Sequence, residues 1–235
     1  MNEFHYVGSE LELFANAKNW KSYWSKQLQP FLGGEVLEVG AGIGANTQYL
    51  QTSANQQWTC LEPDRSLAAQ LRTSLDNRSA RSNINVIVGT ITDVDPKPQF
   101  STILYIDVLE HIEKDSDELG QAMLRLKPGG FLVVLSPAHS WLFSDFDRNI
   151  GHFRRYTKKD LRAIEIEGLR LHRLRYLDSC GLIASASNRL FLRQSMPSLA
   201  QIKFWDKFLV PPSRLLDPLL IYAVGKSVLG VWQKI

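Results

Sequence analysis

The chain is 235 residues long, 44% hydrophobic and 22% charged, which suits a globular protein with a full core and excludes a disordered or fibrous class. Its two cysteines, Cys60 and Cys180, make no C-x-x-C pair, so neither a disulfide framework nor structural zinc is expected and a reducing cytoplasm fits best. The net charge of +3 is uneven: residues 1–150 carry 12 Lys/Arg against 18 Asp/Glu, and residues 151–235 carry 15 against 6.

The first ten residues lack a basic segment followed by an apolar run, so no signal peptide is expected. Ser9 and Glu12 have capping-box spacing. Leu11, Phe14, Ala15, Trp20, Tyr23 and Trp24 follow at roughly helical spacing and predict one or two amphipathic helices ahead of Pro30. Short apolar runs at 36–39, 58–62, 85–88, 102–106 and 131–135 then read as strands, with helices over 46–51, 66–75 and 116–126. This alternation predicts a parallel sheet with right-handed crossovers. Thr157 and Asp160 form a second capping box, opening a helix to about residue 167. Residues 169–177 alternate apolar and basic side chains like a half-exposed strand, 181–218 have the texture of an irregular helical insertion, and 219–224 read as the last strand. No apolar run reaches the ~20 residues needed to cross a bilayer. A single domain is expected: a helical cap over 1–30, a core over 31–178, the insertion or lid over 179–218, and the last strand and tail over 219–235.

The richest local signal is the loop after the first strand. Gly40, Gly42 and Gly44 let the backbone turn sharply and let a ligand approach without meeting a Cβ. The helix that Asn46 opens adds free amides suited to a carboxylate or phosphate. Gly40, Gly42 and Ala45 also satisfy the dinucleotide pattern, so the glycines alone leave the ligand open. Glu38 separates the readings, because its charge repels a pyrophosphate but suits the ammonium of a methionine-type ligand. Glu62, at the end of the second strand, is placed to accept ribose hydroxyls in either case.

In order along the chain, EVGAGIG, LEPD at 61–64, YIDVLEHI at 105–112 and LKPGGFLVVLSP at 126–137 resemble the motifs of class I S-adenosylmethionine-dependent methyltransferases, small-molecule members in particular. GHFRRYT at 151–157 resembles a sub-group that also carries an N-terminal helix like ELELFANAKNW. The resemblance implies a Rossmann-like, seven-stranded, mostly parallel sheet with helices on both faces. The implied cofactor is S-adenosylmethionine, with S-adenosylhomocysteine as product. It implies that Glu62 binds the ribose, that Pro63 and Asp64 lie beside the adenine, and that Asp107 and Val108 border the cofactor. Where the family often has an acid after the glycine of VIVGT, this chain has Thr90, so Thr90, Ile91 and Asp93 are all candidates for the adenine contact.

Methyl transfer asks the protein to align the acceptor and remove a proton from it. His111 is one candidate base, or else a histidine packing the helix start. His152 is the second, and Arg154, Arg155 and Tyr156 beside it either clamp an anionic group on the substrate or merely fix the loop through Asp145 and Asp147. No set of residues has convincing metal-ligand spacing, and no metal is expected. The aromatic and basic stretch 188–214 fits an apolar lid, a dimer interface or a peripheral membrane contact; nucleic acid fits poorly, because the bases do not form a stripe. The reading is methyl transfer to oxygen, carbon or nitrogen of a small apolar or anionic metabolite, by a monomer or homodimer. Its rivals are a cofactor-binding protein without turnover and a nicotinamide-dependent oxidoreductase.

Overall fold

The computed structural model describes residues 4–8, 10–51, 53, 56–76, 83–189 and 196–235. Two helices precede the sheet, α1 (Leu11–Ala15) and α2 (Lys18–Leu28). Ser9 of the expected capping box lies outside the described residues, and Glu10 stands at the N-cap of α1. Trp20, Tyr23, Trp24 and Leu28 share the buried face of α2, the stripe that their spacing predicts.

The strands are β1 (Glu35–Val39), β2 (Gln57–Glu62), β3 (Ile84–Val88), β4 (Phe100–Ile106), β5 (Leu126–Pro137), β6 (Leu169–Leu177) and β7 (Ser227–Lys234). They form one seven-stranded sheet in the order β3-β2-β1-β4-β5-β7-β6, with β7 antiparallel to both its neighbours. Between them lie α3 (Thr47–Leu50), α4 (Arg65–Asp76), α5 (Asp115–Arg125), α6 (Asp145–Asn149) and α7 (Lys158–Arg162). Alternate residues of β4 feed opposite layers: Leu104 and Ile106 join Trp24 and Trp205 on one face, Ile103 and Tyr105 join Leu119 and Leu161 on the other. The strand order reverses between β1 and β4, and the crevice beyond their carboxyl ends is where open α/β sheets bind ligands.

Four expectations need correcting. The helix expected over 46–51 is the single turn of α3. The capping box of Thr157 and Asp160 is present, but α7 stops at Arg162 rather than near 167. β5 starts at Leu126: Leu126 pairs with Phe100, Phe131 pairs with Thr102, and the intervening residues bulge out of register. Gly130 fits that bulge because a Cβ there would lie 2.9 Å from the Ser101 carbonyl oxygen.

The last strand is not at 219–224. Leu219 ends α10 (Val210–Leu219), which follows α8 (Ser179–Ser187) and α9 (Leu199–Phe204) in the insertion. The next residues turn back, with Ile221 and Tyr222 at φ of 51° and 53°. An apolar run with two left-handed residues cannot continue a pleated strand. The strand is SVLGVWQK, whose first six residues are all buried; its glycine and polar ends conceal it from pattern reading. Among the described residues no helix is long and apolar enough to cross a membrane.

Candidate active site

A cavity of about 860 Å³ opens beyond the carboxyl ends of β1 and β4. Its walls include Gly40, Gly42 and Asn46 from the glycine loop, Asp107 and His111 after β4, His152 and Arg155 from the GHFRRYT segment, and apolar side chains of α1, α6 and the insertion. The cavity wall brings together these seven of the candidate site residues. Glu38, Gly44, Glu62, Pro63, Asp64, Thr90, Ile91, Val108, Arg154 and Tyr156 are not among the residues that line it.

Each of these has a local explanation. Glu38 turns into the core, where its Oε2 accepts from Thr47 Oγ1 at 2.8 Å and Trp58 Nε1 at 3.0 Å. Burial pushes its carboxyl up to about 7 against those hydrogen bonds and the pull of Lys21. It fastens the start of α3 to β2 and does not face the ligand space. Glu62 accepts the Gly42 amide at 2.7 Å and the Asp64 amide at 2.9 Å, so it braces the glycine loop. Gly44, at φ 76°, passes so close to Leu71 of α4 that a Cβ would collide. Val108 packs on Gly40, where a Cβ would meet it at 2.6 Å.

Asp64 accepts the amides of Ser66 and Leu67 at 2.7 and 3.1 Å and so caps α4, with Pro63 half-buried before it. The adenine candidates make local contacts as well. Asp93 accepts from the Thr90 amide at 2.7 Å and hydroxyl at 3.0 Å, a small capping box, and Ile91 is buried in the core. Arg154 pairs with Asp115 at 2.6 Å, and Tyr156 donates to the same carboxylate at 2.7 Å. That knot holds the GHFRRYT segment against α5.

The structure adds residues that pattern reading missed. Lys21 of α2 is buried in the cavity wall with its Nζ 2.8 Å from Asn46 Oδ1. Burial lowers it to about 8, opposed by Asp107, Glu38 and Asp206. Asp107 sits at φ 55° and faces the cavity; enclosure by protein raises its carboxyl, opposed by Lys21, His152 and Lys226. A cation and an anion thus flank the glycine loop. Tyr6 crosses the mouth of β2, its amide donating to Asp64 Oδ2 at 2.8 Å and its ring edge-on to His111 at 5.6 Å. Lys21 escaped notice because a lysine on an aromatic-rich helix looks like an ordinary surface charge.

His152, Asp147 and Arg155 form the most connected part of the wall. His152 Nδ1 is 3.0 Å from Asp147 Oδ1, and Arg155 donates to both Asp147 oxygens at 2.7 and 3.0 Å. These bonds, with the Ser144 amide, outweigh burial and hold Asp147 well below the usual carboxylate range. His152 is raised, since its bond to Asp147 and the charge of Glu110 oppose its burial. His111 lies edge-on to it with ring centroids 4.4 Å apart and is pushed down to about 3 by burial and by His152. Glu110 is fully buried and faces Ser136 and His152, and its carboxyl makes no hydrogen bond of ordinary length; desolvation raises it. Ligand atoms of Glu110, His111 and His152 converge within 4.8 Å, so sequence spacing overlooked a trio that can share protons or hold a divalent cation.

Comparison with known proteins follows the same lines. Residues 37–132 match a methyltransferase domain family. A ubiquinone biosynthesis O-methyltransferase of Bradyrhizobium sp. (strain ORS 278) is 28% identical over 117 residues, 50% of this chain and 45% of the relative; the match spans less than half the length of that protein. Among solved structures, coclaurine N-methyltransferase bound to N-methylheliamine and S-adenosylhomocysteine superposes with a TM-score of 0.64 at 15% identity, covering 93% of this chain and 72% of that one. The [4+2]-cyclase SpnF superposes at 0.61 with 14% identity over 92% and 80%, so the architecture is shared across different chemistries. The chain thus matches a methyltransferase domain over residues 37–132, on a seven-stranded Rossmann-like sheet.

Proposed function

We propose that the chain transfers a methyl group from S-adenosylmethionine to an oxygen of a small, apolar acceptor carrying an acidic hydroxyl. The observation that carries this reading is the cavity-facing His152 oriented by buried Asp147. The cofactor supplies an electrophilic methyl on a sulfonium leaving group, so the protein's share is alignment and removal of the acceptor proton. Asp147, kept ionised by Arg155, holds the proton of His152 on Nδ1 and leaves Nε2 as the base. His111, neutral at physiological pH, closes the wall behind it.

The residues fit the cofactor at its amino-acid end. Lys21 suits the carboxylate and Asp107 the ammonium of the methionine moiety, on either side of the Gly40 and Gly42 backbone. Leu11, Phe14, Leu142, Phe146 and Ile150 line the rest with apolar surface, which supports an apolar acceptor. Likeness to ubiquinone biosynthesis O-methyltransferases supports oxygen as the acceptor atom. The free thiols of Cys60 and Cys180 fit a cytoplasmic setting.

Calorimetry with S-adenosylhomocysteine and NAD, followed by transfer of labelled methyl to a panel of hydroxylated aromatics, tests the reading. Binding of NAD in preference to S-adenosylhomocysteine overturns the cofactor assignment. Tight S-adenosylhomocysteine binding with label passing only to amines or carbon acids overturns the oxygen assignment.

A further inference from the structure

The end of the insertion exposes apolar surface that the cavity does not use. Leu215, Leu219 and Ile221 are 73%, 77% and 83% exposed, and Leu220 and Val224 beside them are exposed too. Ile183 projects from α8, which packs on α10, and Phe208 is exposed with its ring 5.2 Å from that of Phe204, a residue of the cavity wall. Leu215, Leu219, Leu220, Ile221 and Val224, exposed within ten residues of chain, mark an interaction site.

Bases outnumber acids on this face, and the exposed acid among them, Asp160 of α7, is held by the Thr157 amide and hydroxyl. The two acids between 196 and 226 both point inward: Asp206 accepts the Asn19 and Trp20 amides at 3.0 and 2.8 Å, and Asp217 accepts from Tyr23 at 2.7 Å and the Asp178 amide at 2.6 Å. The exposed charges left on α9 and the π-type turn Trp205–Leu209 are Lys203 and Lys207. The turn after α10 is bordered by further bases. Lys158 Nζ donates to the Tyr222 carbonyl at 2.6 Å, and the Arg175 guanidinium lies 4.0 Å over the Tyr222 ring. Arg162 and Arg173 are near enough to these two to repel them. None of these four bases forms an ion pair among the described residues, although Arg173 and Arg175 donate to the Gln27 carbonyl and side-chain oxygens at 3.3 and 2.6 Å. Glu165 and Glu167 belong to the loop entering the opposite end of β6.

We propose that this face, with Leu219 and Ile221 at its tip and Lys158, Arg162, Arg173 and Arg175 around it, docks on an anionic lipid surface. Apolar side chains enter the headgroup boundary while the bases meet lipid phosphates. Self-association through the same patch sets the basic clusters of two copies against each other, which favours lipid over a second copy. The tip is also strained: a β-branched residue at positive φ, as at Ile221, is seldom tolerated. Asparagine fits that backbone better, so Ile221→Asn removes the apolar group without a folding penalty. Because α9 and the π-type turn also line the cavity, docking sets that wall of the cavity against the lipid. The inference does not depend on the methyl-transfer reading.

Co-sedimentation of the full chain with phosphatidylcholine vesicles, with and without phosphatidylglycerol, tests it. The wild type is expected to partition at least tenfold more strongly onto the anionic vesicles, less so at high salt. Leu219→Glu and Ile221→Asn are expected to lower that partition at least tenfold, with thermal midpoints no lower than wild type and S-adenosylhomocysteine affinity unchanged. Equal partition of wild type and both variants, or no binding to anionic vesicles, overturns the proposal. So does a lipid-insensitive dimer that Leu219→Glu dissociates in sedimentation equilibrium, which assigns the face to self-association.

Discussion

His152 Nδ1 lies 3.0 Å from Asp147 Oδ1, and Asp147 is fully buried beneath it. One carboxylate thereby fixes both the tautomer and the ring plane of a histidine on the cavity wall. Replacing His152 by Gln keeps a hydrogen-bond donor for Asp147 but removes the base. Turnover is expected to fall about 10²–10⁴-fold, while S-adenosylhomocysteine affinity stays within about threefold. Single-turnover methyl transfer and calorimetry on one preparation separate the two; unchanged turnover removes His152 from the chemistry.

Lys21 supplies a test with a pH signature. Its ammonium is pulled down to about 8, so the cation is lost as pH rises through that value. Cofactor affinity is expected to weaken between pH 7 and 9. Lys21→Met should bind at least tenfold more weakly at pH 7 and lose most of that dependence. For the free protein the sign is opposite. A lysine depressed from 10.5 to about 8 binds fewer protons folded than unfolded between those values, so its contribution to stability rises with pH across that window. Urea titrations at pH 8 and 10 on wild type and Lys21→Met check this.

Glu38 should report on stability more than on binding. Glu38→Ala strands the buried Thr47 hydroxyl and Trp58 indole N–H, at a cost on the order of 3 kcal/mol. The affinity of the folded variant for S-adenosylhomocysteine is expected to drop less than tenfold. A thermally normal variant that has lost cofactor binding overturns the core assignment of this side chain.

Gly40 and Val108 form a pair suited to a double-mutant cycle. Gly40→Ala adds a Cβ at φ 64°, 2.6 Å from Val108 Cγ2, and is expected to cost more than about 2 kcal/mol. Val108→Ala opens the space, so the double variant should recover at least about 0.5 kcal/mol of coupling. Additive effects would mean that the backbone conformation alone makes glycine necessary.

Much of the frame was legible because its signals are local. β6 falls on 169–177 as its alternating pattern predicts, the short apolar runs fall on β1 to β5, and the glycine loop lies where its residues demand. The last strand was misplaced because LLIYAV has the composition of a strand, and only the docking of SVLGVWQK between β5 and β6 selects the later segment. Site residues divide the same way. Gly40, Gly42, Asn46, Asp107, His111, His152 and Arg155 reach the cavity because each closely follows a strand or belongs to a connection above the switch point. Glu38 and Glu62, expected as ligand contacts from charge and position, accept core and loop hydrogen bonds in the fold and do not line the cavity. Periodicity places such side chains on a strand but does not say which neighbour takes their lone pairs.

The sequence by itself determined the alternation of strands and helices and the glycine turn after β1, since these rest on backbone propensity and short-range spacing. Tertiary structure alone decided that Lys21, 25 positions before Asn46, stands in the cavity and that Asp147 rather than a substrate anion takes Arg155. It also decided that Glu38 closes into the core. Long-range packing sets those outcomes, because a buried charge settles where desolvation is best compensated, and its partner in this fold is seldom its neighbour in sequence.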